Sequence, residues 1–211
     1  MPPAARASAR ETWDRHAARY GRQIRYELRA VWAAAALADA GPGDRVLDVA
    51  TGTGLMLDVL RVGPAPPRRV LAIDRSPGML ARMSSPPEGW TARVADATVL
   101  PLGAGSVDVA TVSYLLQLLA PEDRAAVLAE LHRVLAPGGR VVTVTPHVAR
   151  RGIGRLGAGV LDAVAAVAPA RLGGLRTHDP RAELAAAGFT VERGVHLRHG
   201  YPSLVVLARR R

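Results

Sequence analysis

The chain has 211 residues, 49% of them hydrophobic, so it can bury one sizeable core and has little left for a second domain. It contains no cysteine, which excludes a disulfide framework and a thiolate metal site. The first residues lack the apolar stretch of a signal peptide and no apolar run is long enough to span a bilayer, so we expect one domain over residues 1–211, in the cytoplasm.

The formal net charge of +10 raises the question of nucleic-acid binding. All 28 basic residues are arginine, which together with abundant alanine and proline is typical of a GC-rich coding sequence. Near the start, Arg10 with Asp14 is spaced for i,i+4 pairing, which favours a solvated helix face over a phosphate-binding stripe. Arginines are also concentrated from Arg150 to Arg181, an arrangement suited to an acidic substrate.

Two helices are predicted before the first strand. Trp13 and Tyr20 share one face of the first helix, where they either anchor it by apolar burial or line a ligand pocket. The second helix is predicted from Ile24 to Ala38, ahead of the breaker Gly41-Pro42-Gly43. We expect residues 1–40 to form a lid.

A glycine-rich turn follows the first predicted strand. Residues 46–49 read as a strand buried on both faces, and helical spacing resumes at residues 55–60. Between them, Gly52 and Gly54 allow positive φ and close approach of a ligand to the backbone. This pattern predicts a nucleotide site, but Leu57 stands where a dinucleotide fingerprint needs a third glycine, which argues against NAD.

Three further predicted strands end in a polar residue or are followed directly by one. They run from Arg69 to Asp74, from Thr91 to Ala95 and from Val107 to Ser113. Because ligands of open parallel sheets lie outside the carboxyl ends of the strands, the residues at these ends are predicted to converge on one crevice. These residues are Gly52, Asp74, Asp96 and Ser113.

The second half of the chain continues the alternation of helices and strands. The predicted elements are a helix from Glu122 to Leu135, a strand from Arg140 to Thr145, an inserted helix from Ile153 to Val167, a helix from Pro180 to Ala187, and strands from Thr190 to Leu197 and Leu204 to Ala208. We expect residues 148–178 to form a cap and the last two strands to form a closing hairpin. No internal repeat is present.

Several motifs occur in the order found in the class I S-adenosylmethionine-dependent methyltransferases, and the chain resembles that family over nearly its whole length. They are Asp48 to Gly54, Asp74, the pair Asp96-Ala97, and the run from Leu131 to Val142 with its Pro-Gly-Gly turn. The segment from Trp13 to Tyr20 is similar to the quinone-biosynthesis group of small-molecule methyltransferases. The resemblance implies an α/β, doubly wound, Rossmann-like fold with a mostly parallel seven-stranded sheet and an antiparallel edge hairpin.

The same resemblance implies S-adenosylmethionine as the cofactor and S-adenosylhomocysteine as the product. Asp74 would hold the ribose and Asp96-Ala97 the adenine, while Met79 either flanks the adenine or fills the core. Ala50 departs from the glycine of many members but is small enough to keep the turn. The residues expected to contact the cofactor are Tyr20, Asp48, Ala50, Thr51, Gly52, Gly54, Asp74, Arg75, Met79, Asp96, Ala97, Ser113 and Gln117.

A sulfonium methyl donor is already activated, so the protein mainly has to align the reacting atoms, exclude water and deprotonate some acceptors. His147, which follows the fifth strand, and His178, in the loop before the last helix, are candidate bases. Tyr114, after the fourth strand, is a third candidate for the catalytic end of the site. No histidine spacing resembles a metal-ligand set, so no metal is proposed.

The acceptor is predicted to be a small molecule, methylated at oxygen, carbon or nitrogen. The segment from Ser113 to Gln117 lacks the Asn/Asp-Pro-Pro-aromatic motif of enzymes that methylate amino groups of nucleic acids, so we expect no nucleic-acid partner. We expect a monomer or a homodimer without a membrane span. Two alternatives stay open: an RNA or protein methyltransferase that uses the arginine-rich insertion, and a protein that binds the cofactor without transferring its methyl group.

Overall fold

The structure, a computed structural model, describes residues 11, 13, 14, 17, 24–147, 176–199 and 201–211. Tyr20, the predicted inserted helix from Ile153 to Val167 and most of the predicted cap over residues 148–178 lie outside these residues. Glu11, Trp13, Asp14 and Ala17 are helical.

The helices in the described residues begin and end close to the predicted positions. They are α1 (Ile24–Ala38), α2 (Leu55–Arg61), α3 (Pro77–Leu80), α4 (Pro121–Val134) and α5 (Arg181–Ala186), with a 3-10 turn at Leu116–Leu118. Helix α3 and the 3-10 turn were not predicted, because each is too short to show helical periodicity. None of the helices in the described part of the chain is long and apolar enough to cross a membrane.

The strands of the described residues form one mixed sheet. They are β1 (Arg45–Val49), β2 (Arg69–Asp74), β3 (Trp90–Val94), β4 (Val107–Ser113), β5 (Leu135–Pro146), β6 (Phe189–Leu197) and β7 (Ser203–Arg210). Their order is β3-β2-β1-β4-β5-β7-β6, with β1 to β5 parallel and β7 antiparallel to both β5 and β6. The predicted mostly parallel seven-stranded sheet with an antiparallel edge hairpin is therefore confirmed.

The register aligns the carboxyl ends of the central strands. Val49, the last residue of β1, pairs with Ile73 of β2 on one side and with Val112 of β4 on the other. Asp74 at the end of β2 pairs with Val94 of β3. The segments that leave these four strands therefore emerge side by side at one edge of the sheet.

The start of β5 differs from the prediction. The strand was expected from Arg140, but it begins at Leu135, directly after α4, and continues to Pro146. Leu135 pairs with Val107, and the register then shifts before Arg140 pairs with Val109. The Pro-Gly-Gly turn therefore forms an irregularity within the strand instead of preceding it.

Alternate residues of the strands bury apolar side chains on both faces of the sheet. Leu47 faces the cluster formed with α4 and α5, whereas the neighbouring Val46 faces the cluster formed with α1 and α2. Such burial contributes about 1.5–3 kcal/mol for each large aliphatic side chain. In α1, Val31 and Ala34 are buried against the sheet, so the second predicted helix is a core helix. The predicted lid role of residues 1–40 stays a prediction.

Candidate functional site

A cleft of about 960 Å³, including its open mouth, lies at the carboxyl ends of β1 to β4. Every one of these strands contributes the segment that follows it, as the parallel register requires. The predicted site residues that line the cleft are Ala50, Gly52, Asp74, Arg75, Met79, Asp96, Ala97, Ser113, Tyr114 and Gln117. Asp48, Thr51 and Gly54 shape the same loop without lining the cleft.

The loop after β1 turns by means of left-handed backbone conformations. The φ angles are 58° at Ala50, 58° at Gly52 and 91° at Gly54. Only glycine adopts such angles without steric cost, and the Ala50 side chain makes this conformation cost roughly 1–2 kcal/mol. A Cβ at Gly54 would also lie 2.5 Å from Cγ of Met83. Position 54 therefore requires glycine, whereas position 50 tolerates a methyl group under strain.

The carboxylate of Asp74 joins two loops at the floor of the cleft. Its Oδ2 accepts a hydrogen bond of 2.8 Å from the backbone N–H of Gly52, and its Oδ1 accepts one of 2.9 Å from that of Ser76. Burial raises the pKa of Asp74 above its ordinary value, and these backbone hydrogen bonds partly offset the rise. Each oxygen keeps a lone pair for a ligand, which makes Asp74 suited to a vicinal diol.

A hydrogen-bond chain connects Asp74 with the N-terminal segment. The Ser76 hydroxyl donates to Oδ1 of Asp14 and accepts from the backbone N–H of Met79 at 3.1 Å. The N–H of Gly78 donates to the same Asp14 oxygen at 2.9 Å. Asp14 thereby contacts the start of α3, and its neighbour Trp13 lines the cleft. Sequence reasoning missed both roles, although Ser76 before Pro77 is a recognisable helix N-cap.

Asp96 is held by its own loop and by Arg75. Its Oδ1 accepts from the N–H and the hydroxyl of Thr98, at 2.9 and 2.8 Å, and its Oδ2 lies 3.4 Å from Arg75 Nη2. These contacts fix the carboxylate at the end of β3 beside Ala97. The Asp96 carboxylate, which can accept hydrogen bonds, and the Arg75 guanidinium group thus lie next to each other in the cleft.

Asp48 lies beneath the glycine loop and is only 1% exposed. Its Oδ1 accepts a hydrogen bond of 2.7 Å from the Thr111 hydroxyl. Burial raises the pKa of Asp48 to about 6, against the opposing effects of the Thr111 hydrogen bond and of the nearby Thr51 hydroxyl. The Thr51 hydroxyl is close enough for that effect but makes no hydrogen bond of ordinary geometry to a described residue.

Several buried polar atoms around the loop and the cleft accept or donate no hydrogen bond within the described residues. They are Asp48 Oδ2, the hydroxyls of Thr51, Thr53 and Ser113, and Gln117 Oε1. Buried polar atoms normally have partners, so a group of them beside a cleft indicates a polar ligand or ordered water. Ser113 and Gln117 line the cleft and are placed to meet such a ligand.

Tyr114 forms the far end of the cleft, beyond β4. Its φ is 56°, its N–H donates to Val144, and its ring lies 5.5 Å from the ring of Tyr201. The Ser203 hydroxyl donates its one proton to the Tyr201 carbonyl at 2.8 Å, so the Tyr114 hydroxyl must donate to Ser203 Oγ, also at 2.8 Å. Burial raises the pKa of Tyr114, which keeps the phenol protonated.

The two candidate histidines do not line the cleft formed by the described residues. The ring of His147 lies 5.0 Å from that of His196, and burial, followed by His196, lowers the pKa of His147. His178 Nε2 lies 2.9 Å from Glu183, which also accepts from Arg124. Among the described residues, no group of three or more His, Cys, Asp or Glu side chains is arranged to hold a metal ion.

Sequence reasoning also missed residues that reach the cleft from elements outside the motifs. Glu27 of α1, Asp123 at the start of α4 and Tyr201 before β7 all line it. An acidic residue in the first turn of a helix is common, because it interacts favourably with the helix dipole, so neither Glu27 nor Asp123 carries a distinctive signal. Tyr201 lies in a turn whose position depends on the pairing of β7.

A family described as a methyltransferase domain matches residues 47–143, the segment that contains the glycine loop, Asp74, Asp96 and Tyr114. Among the curated relatives, the demethylmenaquinone methyltransferase of Thermus thermophilus is 38% identical over 129 residues, which are 59% of this chain and 56% of that protein. The chain thus spans about half the length of this curated relative.

Solved structures agree on the fold. An S-adenosylmethionine-dependent methyltransferase from Mesorhizobium loti is 25% identical, with a TM-score of 0.65 over 88% of this chain and 98% of that one. The 1,6-didemethyltoxoflavin N1-methyltransferase of Burkholderia thailandensis, with bound 1,6-didemethyltoxoflavin and S-adenosylhomocysteine, is 19% identical. Its TM-score is 0.66 over 100% of this chain and 92% of that one. At this level of identity, the similarity shows only that the two proteins share a fold.

Proposed function

We propose that this chain, which belongs to the class I S-adenosylmethionine-dependent methyltransferases, transfers the methyl group of S-adenosylmethionine to a small-molecule metabolite. The observation that carries the proposal is the position of Asp74. Its carboxylate is fixed by two backbone N–H groups at the junction of the glycine loop and the β2–α3 turn, between Asp96 on one side and Ser113 on the other.

The residues of the cleft fit the cofactor part by part. We assign the ribose hydroxyls to Asp74 and the adenine to Met79 with the pair Asp96-Ala97. The methionine part would lie against the backbone at Ala50 and Gly52, where left-handed turns leave the peptide accessible. The unpartnered polar atoms of Ser113 and Gln117 support this assignment, because an amino acid group would satisfy them.

When bound, S-adenosylmethionine supplies an electrophilic methyl group whose leaving group is a neutral thioether, so no strong acid is needed. The contribution of the chain is to hold both ligands in line and to exclude water. We assign no base to His147 or His178, because neither lines the cleft formed by the described residues. Tyr114 stays protonated and donates to Ser203, which makes it a positioning group at the end of the cleft.

A small, fairly apolar acceptor fits the rest of the cleft. Beyond Ser113 its walls are mostly apolar or aromatic: Tyr114, Leu115, Leu118, Leu119, Val127 and Tyr201. A concave apolar pocket with few polar groups is typical of small-molecule sites. The name of the Thermus relative points in the same direction, since demethylmenaquinone is an apolar ring compound, and a compound of that kind is the first acceptor to try.

Methyl transfer is tested with S-adenosylmethionine labelled with carbon-13 in its methyl group. The protein is incubated with separate small-molecule, RNA and protein fractions, and both the label and released S-adenosylhomocysteine are measured. We expect label in the small-molecule fraction, matched by S-adenosylhomocysteine. Label in RNA or protein would favour the macromolecular alternative, and retention of unreacted cofactor would favour a protein that only binds it.

A further inference from the structure

One carboxylate in the cleft has no role in the cofactor site proposed above. Glu27 lies in the first turn of α1, is 3% exposed and lines the cleft. The helix α1 packs against α2, β4, β5 and β7, whereas Asp74 and Asp96 follow β2 and β3 on the other side of β1. Glu27 therefore lies at the end of the cleft opposite the proposed adenosine site.

Two tyrosines surround this end together with Glu27. The backbone N–H of Tyr201 donates to the carbonyl of Tyr26 at 3.1 Å, which ties the start of α1 to the residues before β7. Burial raises the pKa of Tyr201, and the negative charge of Glu27 raises it further. In Tyr114 burial again raises the pKa first, and Glu27 adds to the rise. The hydrogen bond between Tyr201 and Tyr26, the neighbour of Glu27, and the contact between the rings of Tyr114 and Tyr201 therefore bring Glu27 and both tyrosines to the same end of the cleft.

The polar groups at this end offer hydrogen-bond acceptors. The Tyr114 hydroxyl has given its proton to Ser203, so its oxygen presents only lone pairs to a ligand. The oxygens of the Glu27 side chain can likewise accept hydrogen bonds. The adjacent walls are the tilted rings of Tyr114 and Tyr201, 5.5 Å apart. A complementary ligand has a flat apolar body and an O–H or N–H donor.

The geometry points to Glu27 as the residue that orients the methyl acceptor, by accepting a hydrogen bond from an O–H or N–H group on the acceptor. This inference rests on the proposed function, because it concerns the second ligand of the same cleft. A hydrogen bond to a buried carboxylate is strong and directional. It fixes which atom of the acceptor faces the methyl donor, and a flat ring against the tyrosines leaves it little freedom to turn.

The test compares Glu27→Gln with the wild type and with Glu88→Gln, a control in an exposed loop between α3 and β3. Glutamine keeps the size of the side chain and removes its charge. Each protein is saturated with S-adenosylhomocysteine and titrated calorimetrically with 2-naphthol and with 2-methoxynaphthalene, which have the same ring but differ in the O–H donor. We expect the wild type and Glu88→Gln to bind 2-naphthol about tenfold more tightly than the ether, and Glu27→Gln, whose neutral amide oxygen accepts a weaker hydrogen bond, to lose most of that preference.

The S-adenosylhomocysteine titration separates the two levels of the proposal. Failure of the wild type to bind S-adenosylhomocysteine overturns the proposed function itself. Normal S-adenosylhomocysteine binding together with equal affinity for the two naphthalenes, no binding of either, or an unchanged preference in Glu27→Gln overturns the role of Glu27 alone. A loss of S-adenosylhomocysteine affinity confined to Glu27→Gln also overturns it, because Glu27 would then belong to the cofactor site.

Discussion

Replacing Asp74 by asparagine perturbs the cofactor site at its centre. The carboxylate accepts from Gly52 at 2.8 Å and from Ser76 at 2.9 Å. An amide has a single acceptor oxygen, so its NH₂ group must face one of the two N–H donors and that hydrogen bond is lost. The variant also lacks the charge that we assign to the ribose hydroxyls.

The expected magnitudes differ for folding and for binding. Hydrogen bonds to a charged group contribute about 1.5–3 kcal/mol, so the affinity for S-adenosylhomocysteine should fall roughly tenfold to a hundredfold. Burial raises the pKa of Asp74, which means that its ionised form is held at a cost in the folded protein. Removing the charge recovers part of that cost, and we therefore expect the free energy of unfolding to fall by only about 1 kcal/mol.

A matched control lies at the opposite end of the strands. Asp108 in β4 also accepts from a backbone N–H, that of Arg45 at 2.9 Å, and is paired with the Arg45 side chain at 2.8 Å. Calorimetry should show that Asp108→Asn keeps the wild-type affinity for S-adenosylhomocysteine. Urea denaturation should show that its free energy of unfolding is about 1 kcal/mol lower than that of the wild type. A folded Asp74→Asn protein with wild-type affinity, or an equal loss of affinity in Asp108→Asn, would refute this account of the cleft.

Three further predictions concern stability and catalysis. Gly54→Ala should lower the free energy of unfolding by about 1–3 kcal/mol, because φ is 91° and Met83 occupies the space of the added Cβ, whereas Gly43→Ala, in open space, should change it by less than about 0.5 kcal/mol in urea denaturation. The pKa of Asp48 is raised to about 6, so the folded protein loses stability as the pH rises from about 4 to 6. Asp48→Asn should abolish that loss and raise the free energy of unfolding by about 2–3 kcal/mol at pH 7. A variant that is less stable than the wild type at pH 7 would contradict this prediction. Once an acceptor is known, the turnover of His147→Ala should stay within a factor of about 3 of the wild-type value. A turnover about a hundredfold lower would indicate that His147 acts as a base.

Local patterns predicted the elements that form the central sheet. The strands Arg69–Asp74 and Val107–Ser113 and the helix Ile24–Ala38 have the predicted bounds, because each is an apolar pattern limited by turn or polar residues. The start of β5 could not be predicted in the same way. It depends on the pairing of Leu135 with Val107 across an irregular register, a contact between residues far apart in the sequence.

In the candidate site, too, local patterns predicted some residues, whereas others depend on contacts between distant parts of the chain. The general rule for parallel sheets brings Gly52, Asp74, Asp96 and Ser113 to one edge, and all four line the cleft. Glu27 and Tyr201 reach the cleft only because α1 packs on β7 and the turn before β7 folds back to Tyr26. Such tertiary contacts leave no periodic signal in a single sequence, so neither residue was predicted to line the cleft.

The structure of the protein crystallised with S-adenosylhomocysteine tests the central claim most directly, because it locates each part of the cofactor on the strand ends. The account predicts both ribose hydroxyls within hydrogen-bond distance of the Asp74 carboxylate, the adenine between Met79 and Ala97, and the amino acid part beside Gly52. S-adenosylhomocysteine bound elsewhere, or absent from the cleft at saturating concentration, would contradict it.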